Sequence, residues 1–130
     1  MRKITIIKVR KQGTYNVNEE LQWIGNSLGL FNKRDKDSSC FRVFITLVRK
    51  AKQNEHLSSD IIAGRLHLTR GTVVHHLTKL INAGIVMRER KGYILRENSL
   101  QEIIKDIQRD MEGMFFELQE VAREIDEKLG

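Results

Sequence analysis

The chain has 130 residues, 40% hydrophobic and 31% charged, with one cysteine and no proline. This excludes a disordered chain, an internal disulfide and a span of the ~18 apolar residues that a membrane requires, leaving one compact domain with an appendage. Residues 1–99 carry 19 Lys+Arg against 8 Asp+Glu, residues 100–130 carry 4 against 9, and the net charge is +6; a basic body with an acidic end points to a polyanionic partner for the body alone.

In chain order, "KITIIKV" (3–9) is rich in β-branched residues and predicts a short strand. Basic residues interrupt the apolar stretch of "MRKITIIKVRKQG", and no small-residue cleavage site follows, so no signal peptide is read. Asn16 or Asn18 can cap a helix carrying Val17, Leu21, Ile24 and Leu28 at helical spacing, with Glu19 and Glu20 in its first turn and Gly29 near its end. "NKRDKDSS" (32–39) is a charged connector in which Ser38 or Ser39 can cap the next helix, over 39–52. That helix is apolar on most sides (Phe41, Val43, Phe44, Ile45, Leu47, Val48, Ala51), as a central buried helix should be. Ser58 or Ser59 opens a short helix through Leu66, with Ile62, Ala63 and Leu66 inward. "HLT" (67–69) is a tight turn, and Thr69 caps a helix over 70–83 with Val73, Leu77 and Leu80 buried and Gly84 at its end. "IVMRERKGYILR" reads as a hairpin turning at Lys91-Gly92.

The last segment has the clearest period. Leu100, Ile104, Ile107, Met111, Met114, Leu118, Val121 and Ile125 alternate steps of four and three, a heptad seam capped by Asn98 or Ser99. Ile103, Phe115 and Ala122 widen the stripe, and Gly113 permits a bend. A helix of about 30 residues, roughly 45 Å long, exceeds what one small domain can cover. Part of the seam therefore needs a partner, and a two-fold dimer shared with Leu21, Trp23, Ile24, Leu28, Leu30 and Phe31 is expected.

The adjacent histidines of "TRGTVVHHLTKL" (69–80) stand about 100° apart on a helix, so they do not converge on one metal. His75 points away from the core and His76 to its edge. No motif places a nucleophile, paired carboxylates or a phosphate-cradling glycine loop, so no enzyme, metal or cofactor is expected.

Three helices, a short turn between the second and third, and a hairpin form the winged helix-turn-helix order. Residues 57–96 resemble the arsenic-repressor (ArsR-like) regulators, which carry "IA..L.LS..TVSHHL..L..AGLV" before a basic wing. The matching residues are Ile62, Ala63, Leu66, Leu68, Thr69, Thr72, Val73, His75, His76, Leu77, Leu80, Ala83, Gly84, Ile85 and Val86. The Cys-x-Cys motif of the metal-sensing members is missing.

The resemblance implies a mainly α fold with a small β-hairpin wing, in which 39–97 is the winged helix-turn-helix DNA-binding domain and 98–130 the dimerisation helix; residues 1–38, a strand and a helix outside the resemblance, are expected to extend the dimer interface. It also implies a cytoplasmic homodimer that binds a palindromic double-stranded DNA site, more often as a repressor. Arg70, Thr72, His75, Thr78 and Lys79 would read the major groove beside the outward Gly71; Arg88, Arg90 and Lys91 on the wing, with Arg96 on its return strand, would meet phosphates. The alternative is a winged-helix protein-interaction module whose C-terminal helix binds another chain. No effector is specified; the apolar space marked by Trp23, Phe31 and Phe115 is where one would sit.

Overall fold

The computed structural model describes residues 2–11, 13, 16–31 and 38–130, so most of the charged connector lies outside the described residues. Residues 3–9 do not form the expected strand. They run beside two helix ends: the Lys3 N–H donates to the Asn82 carbonyl (2.8 Å) and the Ile7 N–H to that of Ser27 (2.7 Å). Asn82 and Ser27 are the last residues of helices, where carbonyls have no intrahelical donor. The β-branched run thus satisfies orphan carbonyls instead of pairing with a strand.

Helix α1 (Val17–Ser27) is capped by Asn16, whose side chain accepts from the Glu19 N–H at 2.9 Å. Gly25 is buried because the Phe31 ring lies where a Cβ would stand, and Phe31 then packs edge-on against Phe41, ring centroids 5.3 Å apart. Helix α2 (Ser39–Ala51) is the centre of the fold, packed against α1 and the elements that follow, with only Arg49 exposed. Ser38 occupies its cap position in a left-handed conformation and makes no capping bond. Ser39 does not cap either; its hydroxyl is hydrogen-bonded to His76 Nε2 at 2.7 Å.

Helix α3 (Ser59–Leu66) is capped by Ser58, and α4 (Arg70–Asn82) by Thr69, which accepts from the Thr72 N–H at 3.2 Å. His67 closes α3 in a left-handed conformation, and the Arg42 guanidinium donates to the Leu66 carbonyl. Val73, Leu77 and Leu80 are fully buried, as their spacing requires. Strands β1 (Val86–Glu89) and β2 (Gly92–Leu95) pair antiparallel, Val86 opposite Leu95 and Glu89 opposite Gly92. The turn pair is therefore Arg90-Lys91, and Gly92 begins the return strand, one residue on from the sequence expectation. Gly92 is needed there for a long-range reason. Leu57 and Tyr93 exchange backbone hydrogen bonds (2.9 and 2.8 Å), and a Cβ on Gly92 would stand 2.7 Å from the Leu57 carbonyl oxygen.

Helix α5 (Leu100–Leu129) is capped by Ser99 and continues through Gly113. Ile103 and Ile107 join Leu21, Leu28, Leu30 and the inward residues of α2, α3, α4 and the hairpin in one core cluster. After Met111 every residue of α5 is exposed.

Gly92→Ala is expected to destabilise the fold by about 1–3 kcal/mol, because the new methyl meets backbone rather than a flexible side chain. Urea unfolding measures this; a loss under about 0.5 kcal/mol would show that the Leu57–Tyr93 bridge yields easily.

Candidate nucleic-acid interface

The rotation of α4 follows from its buried stripe. With Val73, Leu77 and Leu80 inward, the ~100° step per residue turns Gly71, His75, Thr78 and Asn82 outward. The hydrogen bond between His76 and Ser39 of α2 holds one edge of the helix, so the two adjacent histidines serve different surroundings. His75 is exposed. Among the described residues no group of three or more His, Cys, Asp or Glu side chains could hold a metal ion.

The expected contact residues differ in how free they are. Arg70 is exposed but leans back on α3, its Nε 3.5 Å from Asp60 and 3.4 Å from the Ser59 hydroxyl. Thr72 is partly buried and its hydroxyl accepts from that of Thr69 at 2.9 Å, so it completes the cap more than it projects. Thr78 donates to the Val74 carbonyl and keeps acceptor capacity outward. Gly71 has nothing within 4 Å of where its Cβ would be, so an approaching surface can reach the backbone of the first turn.

His75, Thr78 and Lys79 line a half-open cleft of about 330 Å³ whose opposite wall is Lys3 and Thr5. Sequence reasoning did not place Lys3 here. Its only sequence signal is membership of a basic run, and a return to the end of α4 is a long-range fact.

On the hairpin, Arg90 and Lys91 form the tip and Arg88 lies in the second pair below it, its guanidinium 5.9 Å from the Tyr93 ring centroid. Glu89, between these cations, is bonded to His56 at 2.7 Å. Arg96 differs from these cations. It turns to α5, with Nη1 2.7 Å from Asp110 and Nε 3.4 Å from the buried Asp106, while Arg2 approaches Asp110 at 3.8 Å.

The heptad seam divides in two. Ile107 is buried and Leu100 and Met111 are partly so, whereas Leu118 (63%), Val121 (54%) and Ile125 (49%) are exposed, as are Ile104 and Met114. Phe116, off the heptad register, is 66% exposed beside Phe115, which makes the free apolar surface broader than the seam alone. The residues expected to surround an effector do not converge. Trp23 donates to the Val9 carbonyl, Phe31 packs on Phe41, and Phe115 stands exposed on the free half of α5. Leu21, Leu28 and Leu30, expected at a dimer interface, are buried in their own chain.

The Arg96 hydrogen bond holds the Asp110 carboxyl below its usual value, and Asp110 in turn raises Arg96. A lowered folded-state value means that this pair stabilises the fold fully above the ordinary carboxylate range. That contribution fades as pH falls through the lowered value. Glu97 has the opposite sign: hydrogen bonding to Asp106 raises it, so its contribution is present below its ordinary value and lost as pH rises through the raised one. Asp110→Asn is expected to lower stability by about 1–2 kcal/mol at neutral pH and to flatten the acid limb of a stability–pH curve. An unchanged acid limb, followed by circular dichroism, would show that Asp110 does not dominate it.

Among the described residues, no helix is long and apolar enough to cross a membrane. No known protein family, curated protein or solved structure matches this chain.

Proposed function

We propose that the chain is a sequence-specific double-stranded DNA-binding regulator of the winged helix-turn-helix type, acting in the cytoplasm as a homodimer. The observation that carries this reading is the run α3, tight turn, α4 and basic hairpin, with the first turn of α4 open at Gly71 and its outward side chains neutral or cationic. Affinity comes from neutralised phosphates, with Arg90 and Lys91 on the wing as cations that no described acid engages. Sequence is read by Arg70 and His75. The Arg70–Asp60 pair is exposed on both sides, worth under about 1 kcal/mol, and exchanges readily for the bidentate edge of guanine.

The homodimer reading is supported by the second half of α5. Phe115, Phe116, Leu118, Val121 and Ile125 make an apolar surface that a second copy would cover, setting two recognition helices about 34 Å apart on a palindromic site. The acidic flanks of α5 keep this arm off the phosphates. Repression is the expected consequence, through occupancy of the site. The same apolar surface also suits the second reading, a winged-helix interaction module whose α5 binds a different chain.

Anisotropy titrations against duplexes tiled across the gene's upstream region are expected to find one tile bound tightly, with affinity falling steeply in salt. Arg70→Ala should weaken that tile by about 1–3 kcal/mol and leave the others nearly unchanged. Weak binding to every tile, indifferent to Arg70→Ala, would refute autoregulation through this helix. In sedimentation experiments Leu118→Glu with Val121→Glu is expected to yield a folded monomer, since neither side chain supports the core. A wild type that is already monomeric favours the interaction-module reading.

A further inference from the structure

We infer that the cleft between the N-terminal segment and α4 is a phosphate seat, in which Lys3 and Lys79 grip the backbone of the bound duplex. The inference rests on the DNA-binding reading and extends it to a segment outside the helix-turn-helix. The cleft lining holds two lysines, a histidine, two threonines and an asparagine, and no carboxylate. Among the described residues no acid pairs with Lys3 or Lys79, so the two cations face the cleft without a counter-ion from the protein.

Lys3 is not a loose charge. Its own N–H is bonded to the Asn82 carbonyl, and the Ile7 N–H and Val9 carbonyl tie the following residues to Ser27 and Trp23. On the other side Arg2 lies against Gly84, where any Cβ would stand 2.5 Å from its guanidinium, and reaches Asp110. An anion near the C-terminal half of a helix ordinarily meets the negative end of its dipole. Here the Lys3 N–H occupies the Asn82 carbonyl, His75 and Thr78 project a turn or more before that end, and Lys79 brings a positive charge to the last turn.

The dimensions fit a duplex. Eight residues separate Arg70 from Thr78, about 12 Å along the axis, and the B-DNA major groove is about 12 Å wide. A helix entering by its first turn therefore carries Thr78 and Lys79 level with the flanking sugar–phosphate strand, beyond His75 at the base edges. At about 330 Å³ the cleft is at the small end for a ligand that must be enclosed, and it is half open. A phosphodiester that enters and leaves the cleft fits this shape.

The test measures anisotropy of the full chain on its preferred duplex between 50 and 200 mM salt, for wild type, Lys3→Gln, Lys79→Gln and Lys8→Gln. Lys8 has the same charge on the same segment but does not line the cleft. Lys3→Gln and Lys79→Gln should each lower the slope of log affinity against log salt by about 0.9, shrinking the affinity change across this range by three- to fourfold. Lys8→Gln should leave the slope unchanged, and discrimination between tiles should persist in all three. Equal slopes for Lys3→Gln and Lys8→Gln, while wild type still binds its tile, overturn the cleft and leave the DNA reading standing; a wild type that binds no duplex overturns both. Inorganic phosphate at constant ionic strength separates the two sources of the oxyanion. Weak displacement of DNA fits a phosphodiester seat, whereas displacement at millimolar phosphate that Lys3→Gln abolishes reveals a free-phosphate site and overturns the assignment.

Discussion

The burial of Val73, Leu77 and Leu80 against α2 is the constraint on which the candidate interface depends. Each side chain contributes about 1.5–3 kcal/mol by leaving water. Together they allow α4 only one rotation about its axis. Everything on the opposite side follows: Gly71 is left open, His75 and Thr78 face out, and His76 falls at the edge where Ser39 receives it. A half-turn of the helix about its axis would bury the polar row and expose the apolar one. The contact surface is thus a consequence of core packing, held before any partner arrives.

Polar contacts position the other elements around that helix. Arg96 leaves the hairpin to meet Asp106 and Asp110, and Arg2 joins Asp110 from the far end of the chain. Hairpin, α5 and N-terminal segment therefore share one cluster of opposite charges beside the core. The partial burial of Asp106 and Arg96 makes removal of one partner more disruptive than at an exposed pair, because the remaining charge keeps its desolvation penalty. Beyond Met111 such anchoring stops. Among the described residues the remaining turns of α5 have only local support, such as Arg123 with Glu120 and Glu127, worth a few tenths of a kcal/mol each. Most of a helix's stability comes from packing its apolar face, and here those side chains remain uncovered. Both features suit a helix that is completed by another chain.

The N-terminal segment illustrates how composition can mislead. Ile4, Thr5, Ile6, Ile7 and Val9 have the residue preferences of a strand, yet the ladder of the hairpin is closed by Leu57, not by this segment. What the segment finds instead are carbonyls at the ends of α1 and α4, which need donors as much as a sheet edge does. The same hydrogen-bonding capacity is used, at a different address. Its cations consequently lie along the helical body, Lys3 among them beside α4.

What could be read from residues alone is what neighbours in sequence decide. Thr69 stands alone as a cap candidate, while Asn16, Ser58 and Ser99 each share candidacy with a near neighbour; all four cap through bonds spanning three residues, and Gly29 and Gly84 take positive φ where helices end. The inward residues of α4 were equally legible, since a period of 3.6 needs no knowledge of the partner. Tertiary structure decided the rest. It sent Arg96 to α5 instead of outward, required Gly92 because Leu57 passes beside it, and left Ser38 without a capping role. It also split a uniform heptad seam into a half partly covered by its own chain and a half left exposed. Periodicity states which side of a helix is apolar. Only the distance over which the body extends states how much of that side is already covered.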